Sequence, residues 1–144
     1  MDDDNPQSEG TSQDPLERMS AHRYARELVK LAWEDGLLLQ ANPLTPGIAE
    51  QFYESVGSIA ANLGEGYSKS SGPDRARSFE YALGSARETV EWYESGRPVL
   101  TDERVNGRLE ILGHIIRLLV AVIPRERNRT IKPGRRKRRP KRKR

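Results

Sequence analysis

Apolar residues in the middle of the chain recur every three or four positions, and this spacing is the strongest constraint on its fold. Ile48, Phe52, Val56, Ile59 and Leu63 follow one another at intervals of four, four, three and four residues. That spacing places the side chains on one face of an α-helix, whereas a half-buried strand needs strict alternation. Three further segments show a similar spacing. The sequence therefore predicts an all-α fold.

Prolines mark the ends of these segments. Pro15, Pro46 and Pro73 stand where helices would begin, because proline is tolerated in the first helical turn. Pro98 and Pro124 follow the predicted ends of the last two helices. Short connections between helices of similar length favour an up-down antiparallel four-helix bundle. The predicted helices run from about Leu16 to Leu39, from Pro46 to about Gly66, from Pro73 to Gly96 and from Thr101 to Ile123.

The last predicted helix carries two apolar stripes. The first, from Val105 to Ile123, is sufficient to pack against the rest of a bundle. The second widens the apolar face, which has two explanations. Either the helix is deeply buried within the chain, or the second stripe meets another subunit. The predicted oligomer interface consists of Ile111, Ile115, Leu118 and Val122.

Charge divides the chain into three predicted parts. Residues 1–15 form an acidic head, 16–123 the bundle and 124–144 a basic tail, and both ends are expected to be disordered. Residues 125–144 hold thirteen Lys or Arg and one Glu. The other 124 residues hold twelve basic and twenty acidic side chains, so the sequence predicts an acidic body.

The basic tail predicts a polyanionic partner, RNA or DNA, bound without sequence preference. Contacts to phosphates release counterions, so such binding should weaken steeply with salt. A purely solubilising tail is the alternative, and a nuclear-localisation patch is another formal match. An anionic membrane is a weaker alternative, since no amphipathic helix or lipidation site accompanies the charges. The predicted phosphate contacts are Arg125, Arg127, Arg129, Lys132, Arg135, Arg136, Lys137, Arg138, Arg139, Lys141, Arg142, Lys143 and Arg144.

The glycine- and serine-rich stretch 58–72 raises the question of a phosphate-binding loop. A Walker loop needs a strand before it and glycine before the lysine, but an amphipathic helix precedes this stretch and Ser68 precedes Lys69. The stretch is better explained as a connection between two helices, with Gly66 in a left-handed conformation at the first helix end.

No catalytic or metal-binding constellation is found in the sequence. There is no cysteine, and the two histidines, His22 and His114, lie on different predicted helices. The sequence therefore predicts a non-enzymatic protein without a metal or cofactor. The acidic N-terminal residues lack the apolar region of a signal peptide, so we expect none. The longest apolar run, Leu118–Ile123, is too short to span a bilayer. We expect a cytoplasmic location without membrane association.

Two segments resemble the signatures of a known family. The first, SIAANLGEGY at 58–67, is similar to S-I-x-x-N-I-A-E-G-[FY] of the bacterial 23S rRNA intervening-sequence proteins, with Leu63-Gly64 in place of Ile-Ala. The second, FEYALGSARE at 79–88, resembles the family's F/L-x-I-A-x-G-S-x-x-E. The resemblance covers roughly residues 16–123. The family also includes the accessory variability determinant of diversity-generating retroelements.

The resemblance implies a four-helix bundle that assembles into a ring-like homopentamer. In the retroelement member, a basic surface binds nucleic acid and a reverse transcriptase, whereas the bundle of this chain is expected to be acidic. The matched residues are expected to be structural, with Gly84 and Ser85 allowing close approach of two helices. They are Ser58, Asn62, Glu65, Gly66, Gly84, Ser85 and Glu88.

Two functional hypotheses follow from these features. The first is an oligomeric adaptor whose tail contacts nucleic acid. The second is a scaffold whose bundle docks a partner such as a reverse transcriptase, with the tail secondary. A further hypothesis is that the acidic head, Asp2–Asp4, competes for the basic tail, so that deleting residues 1–15 would tighten nucleic-acid binding.

Overall fold

The computed structural model of the chain describes residues 19–129, which form four consecutive α-helices. The predicted head and the tail from residue 130 onwards lie outside the described residues. Connections are short: residues 42–45, 69–71 and the single residue Thr101. The helices are α1 (Ser20–Ala41), α2 (Pro46–Ser68), α3 (Gly72–Leu100) and α4 (Asp102–Arg127).

The helices pack as the predicted up-down bundle. Each helix contacts the one before and after it, α1 also contacts α4, and the contact between α1 and α3 is slight. Their apolar stripes meet in one core, whose largest fully buried side chains include Tyr93, Phe52 and Phe79. Phe52 and Tyr93 meet edge to face, with ring centroids 4.8 Å apart. Among the four described helices, none has the length and hydrophobicity of a membrane-spanning segment.

Two predicted helix ends are wrong, because proline does not stop either helix. The third helix continues through Gly96 and Pro98 to Leu100. Gly96 is buried there, and a Cβ on it would lie 2.8 Å from Leu39 Cδ2, so it serves close packing on α1. The helix ends at Thr101, whose φ of 80° breaks the helical path and whose hydroxyl caps α4. Similarly, α4 continues past Pro124 to Arg127.

The predicted helix starts agree better with the structure. Pro46 is the first residue of α2, as the sequence predicts. However, the Thr45 hydroxyl does not cap that helix and instead donates to the Leu39 carbonyl at the end of α1. At the start of α3, the Ser71 hydroxyl accepts a hydrogen bond from the Asp74 amide at 3.2 Å. The start predicted for the first helix is wrong: α1 begins at Ser20, and Met19 before it is extended. Asp14 and Pro15 lie outside the described residues.

Candidate nucleic-acid interface

The root of the basic tail is the C-terminal end of α4. Of the predicted phosphate contacts, the structure describes Arg125, Arg127 and Arg129, and the others lie outside the described residues. Arg127 forms an ion pair with Glu80 of α3, and Arg129 approaches Glu126 at 3.6 Å. Arg125 is exposed and forms no ion pair within residues 19–129. Part of the positive charge at the root is therefore already neutralised by the bundle.

The start of α3 packs directly against this root. A Cβ on Gly72 would lie 2.1 Å from the Glu126 carbonyl oxygen, so only glycine allows this contact. Arg75 Nε donates to the Lys69 carbonyl at 2.8 Å, and its Nη1 lies 3.7 Å from Glu126 Oε2. The same guanidinium lies over the Tyr67 ring, 5.8 Å from its centroid. These contacts fix the point from which the tail leaves the bundle.

The described part of the chain is nearly neutral. Residues 19–129 hold fourteen Lys or Arg and fifteen Asp or Glu. The acidic excess predicted for the body arises mainly from residues 1–18, which hold six acidic side chains and one basic side chain. The bundle therefore repels a polyanion less than the sequence suggested. The excess positive charge lies in the residues after Arg129.

The signature residues lie mainly along the contact between α2 and α3. Ser58 Oγ and Ser85 Oγ are 2.9 Å apart across the two helices. Asn62 Nδ2 donates to both the carbonyl and the hydroxyl of Ser58, at 2.8 and 2.9 Å. One turn away, Ser55 Oγ and Thr89 Oγ1 are 2.8 Å apart and buried. We call Ser55, Ser58, Asn62, Ser85 and Thr89 the polar seam.

Two signature glycines have roles that differ from those predicted. Gly66 is not a left-handed helix end: it is buried inside α2, and no described glycine has positive φ. A Cβ on Gly66 would lie 2.8 Å from Phe79 Cε1 and from Ser78 Cβ, so Gly66 provides the close approach of α2 and α3. Gly84, to which that role was assigned, is exposed with nothing within 4 Å of an added Cβ. It lies on the outer side of α3, away from the contact.

The two signature glutamates are both exposed and make contacts within their own helical turns. Glu65 Oε1 lies 3.4 Å from Lys69 Nζ, and Glu88 Oε1 accepts a hydrogen bond from Trp92 Nε1 at 3.2 Å. Neither glutamate faces the core. Their position gives no sign of a catalytic carboxylate pair.

The four residues of the predicted oligomer interface divide between core and surface. Ile115 is fully buried in the core of the single chain, so its assignment to a subunit contact is wrong. Ile111 and Val122 are partly buried and pack against that core. Leu118 alone of the four is exposed, at 38%. The core-facing line of α4 passes through Leu112, Ile115 and Leu119 and so takes residues from both predicted stripes.

A buried ionic cluster, which the sequence did not predict, joins three helices. Asp35 of α1 is fully buried. Its carboxylate accepts hydrogen bonds from Tyr93 at 2.7 Å, from Arg104 at 2.8 Å and from Arg108 at 2.8 and 3.3 Å. One signal for it was available: Leu28, Ala32, Asp35 and Leu39 share one core-facing line, so Asp35 is an acid in a core position.

The ionic cluster is suited to holding charge rather than to proton transfer. Burial would raise the pKa of Asp35, but the hydrogen bonds from Arg108, Tyr93 and Arg104 outweigh it and lower that pKa. Burial and the hydrogen bond to Asp35 raise the pKa of Tyr93. Both carboxylate oxygens of Asp35 are occupied by donors, so the group is fixed in its ionised form and is not available as a general base.

The two histidines are also engaged within the bundle. His114 stacks on Tyr24, with ring centroids 5.1 Å apart, and its Nδ1 lies 3.0 Å from Arg117 Nη2. His22 is buried in α1. Within the described residues, no three His, Cys, Asp or Glu side chains lie together in a way that could hold a metal ion.

Comparison with known proteins places the chain in a family. The family model described as "23S rRNA-intervening sequence protein" matches residues 19–121. No curated protein matches the chain. A solved structure of a protein of unknown function from the S23 ribosomal protein family of Bacteroides thetaiotaomicron shares the fold, with a TM-score of 0.67 and 23% identity. The match covers 72% of this chain and 97% of that one. The chain belongs to the 23S rRNA-intervening sequence protein family.

Proposed function

We propose that the protein is a non-enzymatic, oligomeric adaptor that binds RNA or DNA phosphates through its basic tail. The observation that carries this proposal is the separation of charge: residues 130–144 hold ten Lys or Arg and no acid, whereas residues 19–129 are nearly neutral. A tail of this composition attracts polyanions regardless of sequence. The role of the bundle is to hold several tails together, since linked binding modules gain apparent affinity from their proximity.

The contacts at the root of the tail support the proposal and define where the binding module begins. Glu126 contacts Arg75, and its carbonyl packs on Gly72, so residues up to Arg129 belong to the bundle. Truncation at Pro124 would therefore damage the fold as well as remove the tail. Neutralising the charges beyond Arg129 is the cleaner change.

The test is a binding titration of labelled RNA and duplex DNA across a salt series. The full chain is compared with a variant in which the ten Lys and Arg of 132–144 are replaced by Gln. If about eight phosphate contacts form, the affinity of the full chain should fall by roughly 10³–10⁵ between 50 and 200 mM salt. The neutralised variant should bind weakly and with a shallow salt slope. Equal binding by the two proteins would refute the role of the tail.

A matched variant separates the root of the tail from the tail itself. Arg125→Gln removes the exposed root arginine that forms no ion pair within the described residues. This change should reduce the slope of log affinity against log salt by about one at most, the value for a single phosphate contact. Arg77→Gln on α3 is the control, because Arg77 is also exposed and lies outside the tail. If Arg125→Gln lost as much nucleic-acid affinity as the neutralised tail variant, the binding site would lie on the bundle rather than on the tail.

The second candidate function is a scaffold whose bundle docks a partner protein, such as the reverse transcriptase of a diversity-generating retroelement. It is favoured by exposed large apolar side chains on the outer faces of α3 and α4, namely Tyr81, Leu118 and Val120. The neutralised tail variant distinguishes the two functions. A scaffold keeps its partner when the tail charges are removed, whereas the adaptor loses its nucleic acid.

A further inference from the structure

A shallow depression of about 320 Å³ lies between α1 and α2, on the flank of the bundle. Trp33 and Leu37 of α1 and Tyr53 of α2 line it and are 60%, 54% and 41% exposed. The Trp33 and Tyr53 rings meet edge to face, with centroids 5.9 Å apart. Glu50 is the one charged residue in its lining. Two exposed aromatic rings beside a carboxylate are typical of a binding surface.

The chemistry of this depression selects the class of its occupant. Aromatic rings attract guanidinium and ammonium groups, and Glu50 adds an ion-pairing partner for the same cations. Aromatic-lined grooves also hold proline side chains of extended segments, which lose little entropy on binding. Glu50 disfavours a phosphate. The depression therefore fits a basic, proline-containing segment rather than nucleic acid.

Residues 130–144 of the same chain have this composition, with Pro133 and Pro140 among ten Lys or Arg. We propose that the depression holds the chain's own basic tail, with Pro140 against Trp33 and Tyr53 and an adjacent arginine on Glu50. Pro140 is flanked by Arg138 and Arg139 on one side and by Lys141 and Arg142 on the other. Either side thus supplies a cation next to the proline.

The length of the tail is sufficient for this contact. Gly72 packs against Glu126, so α2 and α4 end at the same end of the bundle. Tyr53 lies fifteen residues before the end of α2, roughly 22 Å along the helix axis. Crossing the width of one or two helices takes about 10–20 Å perpendicular to that axis, so the straight-line distance is roughly 24–30 Å. Pro140 is eleven residues beyond Arg129, and an extended segment of that length spans roughly 36 Å.

Docking of the tail would regulate nucleic-acid binding. When the tail is seated in the depression, part of its cations are engaged and RNA must displace it. The apparent affinity for RNA is therefore the intrinsic affinity multiplied by the fraction of molecules whose tail is undocked. This consequence rests on the proposed function, whereas the docking itself does not. The ionic part of both contacts weakens with salt. Cation–π contacts and proline packing at the depression weaken less.

The test uses Trp33 as a reporter in the full chain. The chain has two tryptophans, so Trp92→Phe leaves Trp33 as the only one. In this parent protein at low salt, we expect a seated tail to shield Trp33 from acrylamide. Pro140→Gly combined with Arg138→Gln, Arg139→Gln, Lys141→Gln and Arg142→Gln should raise the acrylamide quenching constant at least twofold. Glu50→Gln should raise it in the same direction.

The matched control is Glu54→Gln, which removes an exposed carboxylate of α2 outside the depression and should leave quenching unchanged. Adding poly(U) RNA to the parent should raise quenching to the level of the tail variant. Equal quenching in the parent and the tail variant overturns the docking. Shielding that grows with protein concentration overturns it too, because it shows cover by another copy.

The RNA arm distinguishes failure of docking from failure of the proposed function. If poly(U) binds without raising the quenching constant, the idea that RNA and the depression compete for the tail is overturned. If poly(U) does not bind, the proposed nucleic-acid function fails, whereas tail-dependent shielding of Trp33 still supports docking.

Discussion

At the residue scale, glycine is required for packing at one signature position but not at another. Gly66 leaves no room for a methyl group, whereas Gly84 faces open space on the outside of α3. Both stand in similar small-residue contexts, so sequence alone could not separate them. The difference arises from the side of the helix that meets a neighbour, which is decided by packing.

We predict that Gly66→Ala destabilises the protein by about 1–3 kcal/mol, the usual cost of overpacking a core. The added methyl group would meet the Phe79 ring and Ser78 Cβ at 2.8 Å, and these belong to another helix. Equilibrium urea unfolding measures the change. Gly84→Ala is the control and should stabilise by up to about 1 kcal/mol, because alanine has the higher helix propensity. The reverse order of stabilities would contradict the packing described for Gly66.

We predict that Asp35→Asn destabilises the bundle by about 3 kcal/mol at neutral pH. It leaves Arg104 and Arg108 without their shared buried anion, and removing one partner of a buried pair is costly. We take the lower end of the usual range because both arginines are partly exposed. Thermal or urea unfolding gives the value. Tyr93→Phe, which keeps the ring and both ion pairs, should cost less.

The pH dependence of stability provides an independent check on Asp35. Its folded pKa is lowered, so its contribution is complete above its unfolded pKa of about 3.9 and is lost as pH falls through the folded value. The stability difference between the natural protein and Asp35→Asn should therefore be constant from pH 5 to 7 and shrink only below about pH 4. A difference that already shrinks near pH 6 would show that the pKa is raised instead.

At the element scale, the polar seam joins α2 to α3 by hydroxyl groups rather than by apolar packing alone. Ser55 Oγ also lies 2.8 Å from the Phe52 carbonyl, and Thr89 Oγ1 lies 2.8 Å from the Ser85 carbonyl. Each hydroxyl has one proton, so one of them donates across the seam while the other donates within its own helix. The register of the two helices is thereby specified.

A double-mutant cycle of Ser55→Ala and Thr89→Val should give a coupling free energy of about 0.5–1.5 kcal/mol. The two hydroxyls share a buried hydrogen bond, and either single change leaves the other hydroxyl with one partner fewer. Unfolding of the four proteins measures the coupling. A pair from separate places in the bundle, Ser55→Ala with Leu118→Ala, should be additive. Coupling near zero for Ser55 and Thr89 would mean that water replaces the shared bond.

At the scale of the whole molecule, self-association is the property that bears most on the proposed function. A chain of 16.3 kDa that forms the homopentamer implied by the family resemblance should have five times that mass in light scattering. Leu118 is the exposed member of the predicted interface, so Leu118→Glu should lower the mass without lowering the melting temperature of the dissociated chain. Ile115→Ala should instead destabilise the fold, because Ile115 is in the core.

The sequence by itself determined the helical class, the order of the helices, several of their starts and the concentration of positive charge after Arg129. These depend on local periodicity, proline positions and composition, which are written along the chain. The tertiary structure decided which face of each helix meets another. It placed Ile115 in the core, Gly66 against Phe79 and Asp35 between two arginines. Such placements depend on residues far apart in sequence, since a side chain's surroundings are fixed only when the helices pack.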